Sequence, residues 1–479
     1  MQLYLVIIFT ILGLIYSREN SSELTLERKP LIILDNQENT SEIGKQLSQM
    51  VSGVAIRLNR YEVIDRNQLT EILTEQKFQT SGAVNESQAV EIGNIAGAKE
   101  ALFIQINNFG QKGVPTKEQK EKQDKEEPEK GLFGWVVKEV VKAKIDKDLE
   151  DVERYPNNIH TVIDGEIRLL DIETGKAISS FVIAADYTGG IKSKSLSEAM
   201  KIVRHQVTSN LKSMYQLKTE ILSINGDEVI LLLGEDLGVE EGSYFQVSTL
   251  NQKKTIRDRE ITLPGKDVGL IQINEVGPDA SHGKIIRKWN TIEPGCKAQE
   301  LPSGVFAWGL SGSYGRTPTN IKLNMNGMLN PLSNFGGSIY AGLGIAVDSR
   351  DDTDFQLGLG GDTIFRFLRT SPFSMGVLLN LPFEFHFRSD DANPSHSVSL
   401  AVFSPRIGLQ SEFMITPTMD VVVRGEYIFS SYELGGWTYS EDSSDNEDSE
   451  NLDAVWVGDT PSLNYSGIQF SVGFRSIEF

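Results

Sequence analysis

FSMGVLLNLPFEFHF, residues 373–387, places an apolar side chain at every odd position: Phe373, Met375, Val377, Leu379, Leu381, Phe383, Phe385 and Phe387. The even positions, Ser374, Gly376, Leu378, Asn380, Pro382, Glu384 and His386, are mostly small or polar. A period of two is that of a β-strand, whose successive side chains point to opposite faces. This apolar face is too long and too aromatic for an ordinary hairpin, and a strand crossing a bilayer takes about 9–11 tilted residues. The stretch reads as one stave of a transmembrane β-barrel, odd positions toward lipid and even positions toward a lumen.

Working outward, strands fall at 304–315, 319–326, 335–347, 354–368, 373–387, 397–413, 418–432 and 463–475, an even set of eight that returns both ends of the segment to one side. Of these, 319–326 is short for a span. Thr370-Ser371-Pro372 and Thr416-Pro417-Thr418 read as short periplasmic turns, whereas 388–396 and the acidic Glu433–Ser462 read as longer loops outside. In the last strand the apolar face Ile468, Phe470, Val472, Phe474 slips in phase before Ile477 and Phe479. An eight-stranded barrel is filled by its own side chains and is expected to anchor rather than conduct. Arg366, Glu384, Arg406, Glu412, Arg424 and Glu426 are the candidate lumen charges.

At roughly 150 residues per domain, the 479-residue chain suggests about three domains. A net charge of −20 argues against a nucleic-acid partner, since phosphate contacts need clustered Lys and Arg. The single cysteine, Cys296, excludes an internal disulfide framework and any paired-cysteine metal or redox motif, and reads as a small buried apolar residue. Met1–Ser17, MQLYLVIIFTILGLIYS, reads as a secretory signal peptide, although it carries no early Lys or Arg. The expected organisation is the signal at 1–17, an α/β domain at 18–215 with a charged insertion at 112–153, a small β domain at 216–302 and the barrel at 303–479.

In the α/β domain, PLIILDN (30–36) is a buried-strand pattern, and residues 41–58 align Ile43, Leu47, Met50, Val51, Val54 and Leu58 on one helical face. Tyr61–Ile64 reads as an edge strand. Asp65 and Asn85 are placed to cap two helices, Gly97 to end the second, and 101–106 returns to the sheet. Residues 197–215 give a last amphipathic helix through Ala199, Ile202, Val203, Val207 and Leu211.

The run Tyr61-Glu-Val-Ile-Asp65-Arg66, with Gln68, Leu69, Ile72, Leu73, Glu75, Gln76, then Gly82, Gln88, Gly93, Gly97 and Ala98, resembles the CsgG family of curli secretion and assembly proteins. DGEIRLLDIETGKAISSFVIA, 164–184, is similar to that family's paired strands around a turn carrying Arg168, Asp171, Thr174 and Gly175. The resemblance, over about residues 30–215, implies a periplasmic α/β domain that self-associates. On the residues themselves, Asp65 as a cap and the glycines as terminators account for the pattern without chemistry. Two features depart from the family: no lipid-bearing cysteine follows the signal, and KGVPTKEQKEKQDKEEPE, 112–129, is a charged run that cannot face lipid and reads as a solvated linker. After it, residues 131–145 form an amphipathic stripe that either packs on its own domain or touches a membrane surface.

From residue 216 the pattern changes to short strands, with Asn225-Gly226-Asp227 as a hairpin turn. NGDEVILLLGEDLGVEEGSYFQV is similar to the C-terminal module of flagellar assembly protein T and to SH3-like barrels. Its glycines are too scattered to cradle phosphate. His160, His205, His282, His386 and His396 form no ligand pair, and the acidic 441–453 lacks the spacing of a calcium loop. No catalytic, cofactor-binding or metal-binding residue is assigned, and no cofactor.

The expected fold is α+β and multidomain: a CsgG-like α/β domain, a small SH3-like β-barrel and an eight-stranded antiparallel transmembrane barrel. The expected function is non-enzymatic: an outer-membrane-anchored, CsgG-like protein in envelope assembly, transport or scaffolding, with residues 18–302 in the periplasm. The alternative is an oligomeric secretion channel component of the curli type. Expected partners are outer-membrane lipid and either further copies of the chain or other envelope proteins, and no nucleic acid.

Overall fold

Aliphatic residues at 31–34 and a helix with one apolar stripe need a sheet to cover, and residues 24–217 build it. β1 (Lys29–Asp35) pairs in parallel with β2 (Tyr61–Val63) and β3 (Glu100–Gly113); β4 (Ile159–Asp171) and β5 (Ala177–Thr188) follow antiparallel, giving the order β2-β1-β3-β4-β5. In this computed structural model the described residues are 24–35, 42–64, 97–116, 154–256, 259–302, 304–391, 397–440 and 451–479. The signal segment, the helices begun by Asp65 and Asn85, most of the charged run, the stripe at 131–145 and His396 lie outside them.

Two helices cover one face of the sheet. α1 (Glu42–Arg57) buries Ile43, Leu47, Val51 and Val54, and α2 (Lys192–Met214) buries Ala199, Val203, Val207 and Leu211 at four-residue spacing. Both stripes pack on Leu31, Ile33, Leu102, Ile104, Ile163 and Ile167. Ile202, expected in the stripe, is exposed instead, because it lies one residue off the row that faces the sheet. β3 continues to Gly113 opposite Ile159, so the first two residues of the predicted linker belong to the sheet.

The Asp171–Gly175 turn forms as its sequence requires. Asp171 Oδ1 accepts from the Thr174 amide at 2.6 Å and its hydroxyl at 2.7 Å, and Gly175 takes the left-handed φ of +68°. The loop 233–239 groups with this unit. Asn59 Nδ2 donates to Glu235 O at 2.6 Å and Arg28 Nε to Asp236 O at 2.8 Å. Gly238, φ +81°, approaches so closely that a Cβ there would lie 2.0 Å from Leu58 O.

The second unit comprises residues 218–232 and 240–479. β6 (Lys218–Asn225), β7 (Glu228–Leu231), β8 (Tyr244–Ser248), β11 (Asp267–Val276), β12 (Ser281–Lys288) and β13 (Lys297–Leu301) close as a small barrel in the order β11-β12-β7-β6-β13-β8. β9 (Gln252–Ile256) and β10 (Arg259–Leu263) form a separate hairpin between β8 and β11. Cys296 is buried and free.

The C-terminal barrel follows. Its strands are β14 (Phe306–Thr317), β15 (Thr319–Leu329), β16 (Phe335–Val347), β17 (Thr353–Thr370), β18 (Phe373–Ser389), β19 (Ser397–Phe403), β20 (Arg406–Thr416) and β21 (Met419–Ile428). Three short ones, β22 (Tyr432–Glu433), β23 (Thr438–Ser440) and β24 (Asn451–Asp453), precede the closing β25 (Ser466–Glu478). β14 through β18, then β20, β21 and β25, pair antiparallel around a ring that β25 closes on β14, so the barrel has eight staves. The short stave predicted at 319–326 is a full strand of 11 residues.

Two expectations are corrected here. The strand predicted as 397–413 is broken at Ser404-Pro405: β20 pairs with the first half of β18 and β19 with the second half, and β19 then pairs with β22 and β23. Proline cannot donate to a ladder, which accounts for the break. The predicted phase slip before Ile477 does not occur in the backbone. Alternation continues through Arg475 and Ile477, both buried.

Candidate functional site: the barrel lumen and its mouth

The alternation of β18 is real. Leu379 and Phe383 stand outward at 48% and 42% exposure, whereas Asn380 and Glu384 point inward at 3% and 0%. The same rule turns Ile321, Leu323, Ile339, Phe365, Phe470 and Phe474 outward. Apolar outside, polar inside and without a free edge, the barrel has the anatomy of one that crosses a membrane. No described helix is long and apolar enough to do so.

All six predicted lumen charges face inward, and they meet in two layers. In the upper layer Arg406 donates to Glu384 Oε1 at 2.6 Å and to Gln469 Oε1 at 2.6 Å, and Lys322 pairs with the same carboxylate. Arg424 pairs with Asp362 at 2.7 Å, and Glu426 accepts from Asn380 Nδ2 at 2.6 Å. Above these, Tyr465 OH accepts from Gln356 Nε2 at 2.8 Å and lies 3.1 Å from His386 Nε2.

In the lower layer Glu412 is shared. Arg366 reaches it at 2.9–3.2 Å and Arg475 at 2.8 and 2.9 Å. Arg475 also holds Asp420, whose other oxygen accepts from Arg287 of the small barrel at 2.7 Å. Arg287 further donates to Pro417 O at 2.6 Å and Thr416 O at 2.9 Å, and Ser371 exchanges hydrogen bonds with the backbone of Lys288. The two predicted turns are thus where the small barrel is fastened.

Apolar clusters stop both ends of the lumen. At the mouth, Leu270 of the small barrel packs with Ala307, Met328, Leu332 and Ile477, and Trp289 stacks on Phe479 with centroids 6.2 Å apart. Ile477 is apolar and inward because it meets a second barrel there, which is why the sequence phase looked broken. At the far end, Val398, Leu400, Val402, Ile428, Trp437, Leu463 and Tyr465 form the other stopper. Beside it Arg388 pairs with Asp348 and Asp352 and lies over Trp456 at 5.3 Å. The interior is filled by charge pairs and capped at both ends by apolar groups.

Lys322, Arg475, Asp420 and Asp362 complete the network but were not singled out from the sequence. Their inward parity was readable once the strands were phased; Arg287, in another domain, carried no such signal. Of the described histidines, His386 alone joins this site, and His160 instead lies 2.8 Å from Thr188 Oγ1. Among the described residues no group of three or more His, Cys, Asp or Glu could hold a metal ion.

A family model described as "Curli production assembly/transport component CsgG" matches residues 32–113. The resemblance read from the sequence is therefore borne out over that segment. A search of curated proteins finds no match. Among solved structures, a major outer membrane protein from Thermus thermophilus is similar over 36% of this chain and 99% of its own, at 11% identity and a TM-score of 0.26. OmpT, an outer membrane protein of Vibrio cholerae, is similar over 67% of this chain and 90% of its own, at 10% identity and a TM-score of 0.12. These likenesses are too distant to bear on function.

Proposed function

We propose that this is an outer-membrane protein whose C-terminal barrel is a plugged anchor. The barrel fastens the small β-barrel at its periplasmic mouth and carries the CsgG-like domain on the same side, serving envelope assembly, transport or scaffolding without enzymatic chemistry. The observation that carries the reading is the ring of eight staves with outward apolar residues and a lumen closed by Arg366–Glu412–Arg475. The match at residues 32–113 supports the envelope role. The protein's partners are membrane lipid and either further copies of the chain or other envelope proteins.

An oligomeric secretion channel of the curli type is the second reading, favoured by that same match and by β5, which has no partner on its outer edge among the described strands. In that case the pore runs through a ring of α/β domains and not through the plugged barrel. Fractionation and imaging test both. The full-length protein is expected in the outer membrane, with an SDS-gel mobility that changes on heating; recovery as a soluble protein would sink the anchor. Rings in detergent-extracted samples select the channel, and single particles the scaffold.

A further inference from the structure

The charges at the periplasmic mouth do not balance. In the upper layer three cations, Lys322, Arg406 and Arg424, face three anions, Glu384, Glu426 and Asp362. In the lower layer Arg366 and Arg475 are matched by Glu412 and Asp420. Two further guanidiniums then enter. Arg287 shares an aspartate already taken. Arg369 finds no carboxylate within ion-pair distance among the described residues, and its hydrogen bond goes to neutral Asn334 Oδ1 at 3.2 Å.

Arg369 is at the mouth because of a backbone irregularity. Strict alternation after inward Arg366 would turn it outward. A bulge between Arg366 and Leu368 leaves Phe367 and Leu368 both exposed, at 55% and 41%, and returns Arg369 to the inner side. Bulges commonly re-aim a side chain in this way. Beside it opens a cavity of about 50 Å³ lined in part by Arg369, Lys284, Arg366 and Arg475 and by the carboxylates Glu412 and Asp420, both already paired with guanidiniums. One water needs about 10–15 Å³, so the space admits a tetrahedral oxyanion. Surplus cations at a partly buried site are costly unless paired.

The geometry points to an anion-binding site for a phosphate group at the mouth of the barrel, with Arg369 as its principal ligand and Lys284 as the second cation. A planar guanidinium suits two phosphate oxygens at once. The phosphate is either free or that of a phospholipid headgroup in the adjacent leaflet. The site rests on the charges and the cavity, not on the assembly or transport role; only the lipid source uses the membrane placement.

The test uses full-length protein in a maltoside detergent, with inorganic phosphate titrated against chloride at constant ionic strength. Phosphate is expected to raise the thermal unfolding midpoint by about 3–6 °C at saturation, through preferential binding to the native state. Arg369→Gln is expected to abolish the shift, Arg369→Lys to retain part of it, and Arg350→Gln, at the other end of the barrel, to leave it intact. Without phosphate, Arg369→Gln should unfold no earlier than the wild type, since it removes an unmatched charge. A purely structural Arg369 would lower that midpoint. No phosphate-specific shift, or an equal shift in Arg369→Gln, overturns the site. In phosphatidylglycerol vesicles, loss of the response to added phosphate assigns the site to the headgroup, and a persisting response assigns it to free phosphate; both uphold it.

Discussion

Arg475 on the closing strand grips Glu412 with two parallel hydrogen bonds, 2.8 Å to Oε1 and 2.9 Å to Oε2. The two residues sit on β25 and β20, which are not neighbours, so the contact ties staves across the lumen rather than along the ladder. Arg366 holds the same carboxylate from β17. Removing Glu412 leaves two buried guanidiniums facing each other. Breaking a buried pair by deleting one partner costs about 3–5 kcal/mol. Glu412→Ala is expected to lower markedly the temperature at which the compact gel form converts to the unfolded one. A conversion temperature equal to the wild type's would mean that the network is not what holds the lumen shut.

Arg287 makes a prediction about attachment rather than about the barrel itself. It gives hydrogen bonds to Thr416 O, Pro417 O and Asp420 Oδ1, and each charge-assisted bond is worth about 1.5–3 kcal/mol. Arg287→Ala keeps Asp420 paired with Arg475, so the barrel should melt nearly as before. The connection at residues 302–305 should become much easier to cleave with protease as the small barrel loosens. Unchanged cleavage would place the attachment in the remaining contacts, the apolar packing of Leu270, Trp289 and Phe479 and the Ser371–Lys288 hydrogen bonds.

The parts legible in the sequence were those fixed by period. Alternation within each stave separated lipid from lumen, so Arg366, Glu384, Arg406, Glu412, Arg424 and Glu426 could be named before any pairing was known. Single-residue conformations were legible too, as at Asp171, Thr174 and Gly175. What escaped depends on contacts between distant segments: Arg287 reaching Asp420, Ile477 turning apolar against Leu270, and the bulge that re-aims Arg369. A β-bulge shifts parity by one residue, and no periodic pattern announces it. The break at Pro405 was readable in principle, since proline interrupts a ladder, but apolar residues on both sides masked it.

Two tyrosines predict an alkaline limit for the N-terminal unit. Tyr61 is buried and donates to Leu211 O at 3.1 Å; burial, with Glu100 nearby, holds its hydroxyl well above the ordinary range. Burial and then Glu100 push Tyr215 up to about 12. Because unfolded tyrosine ionises near 10, the native state binds more protons above that pH, and its stability falls as pH rises. The contribution is complete below pH 10 and is lost progressively toward pH 12. In ultraviolet titrations, Tyr61→Phe should differ from the wild type only where near-ultraviolet circular dichroism is already lost. A difference centred on pH 10 in the folded protein would mean that Tyr61 is open to solvent.

Neighbouring residues of β18 give the sharpest test of the membrane phase. Leu379 faces outward, and a charge near the bilayer midplane costs about 2–4 kcal/mol, so Leu379→Arg should block assembly of the compact form. Leu379→Ile should be nearly neutral, because it keeps the apolar face. From alternation alone, Asn380 on the lumen side would tolerate polar change. The structure adds a neighbour that alternation cannot supply: Asn380 Nδ2 donates to Glu426 Oε1 at 2.6 Å, while its Oδ1 accepts from Tyr340 at 2.8 Å. Asn380→Asp therefore sets a carboxylate against Glu426 and removes the donor between them, a defect of about 1–3 kcal/mol. Asn380→Asp should assemble but melt earlier, and Asn380→Asp with Glu426→Gln should recover most of the loss, since the amide introduced at position 426 can donate in place of the lost Asn380 group. Normal assembly of Leu379→Arg would remove the odd face of this strand from lipid, and with it the membrane placement of the barrel.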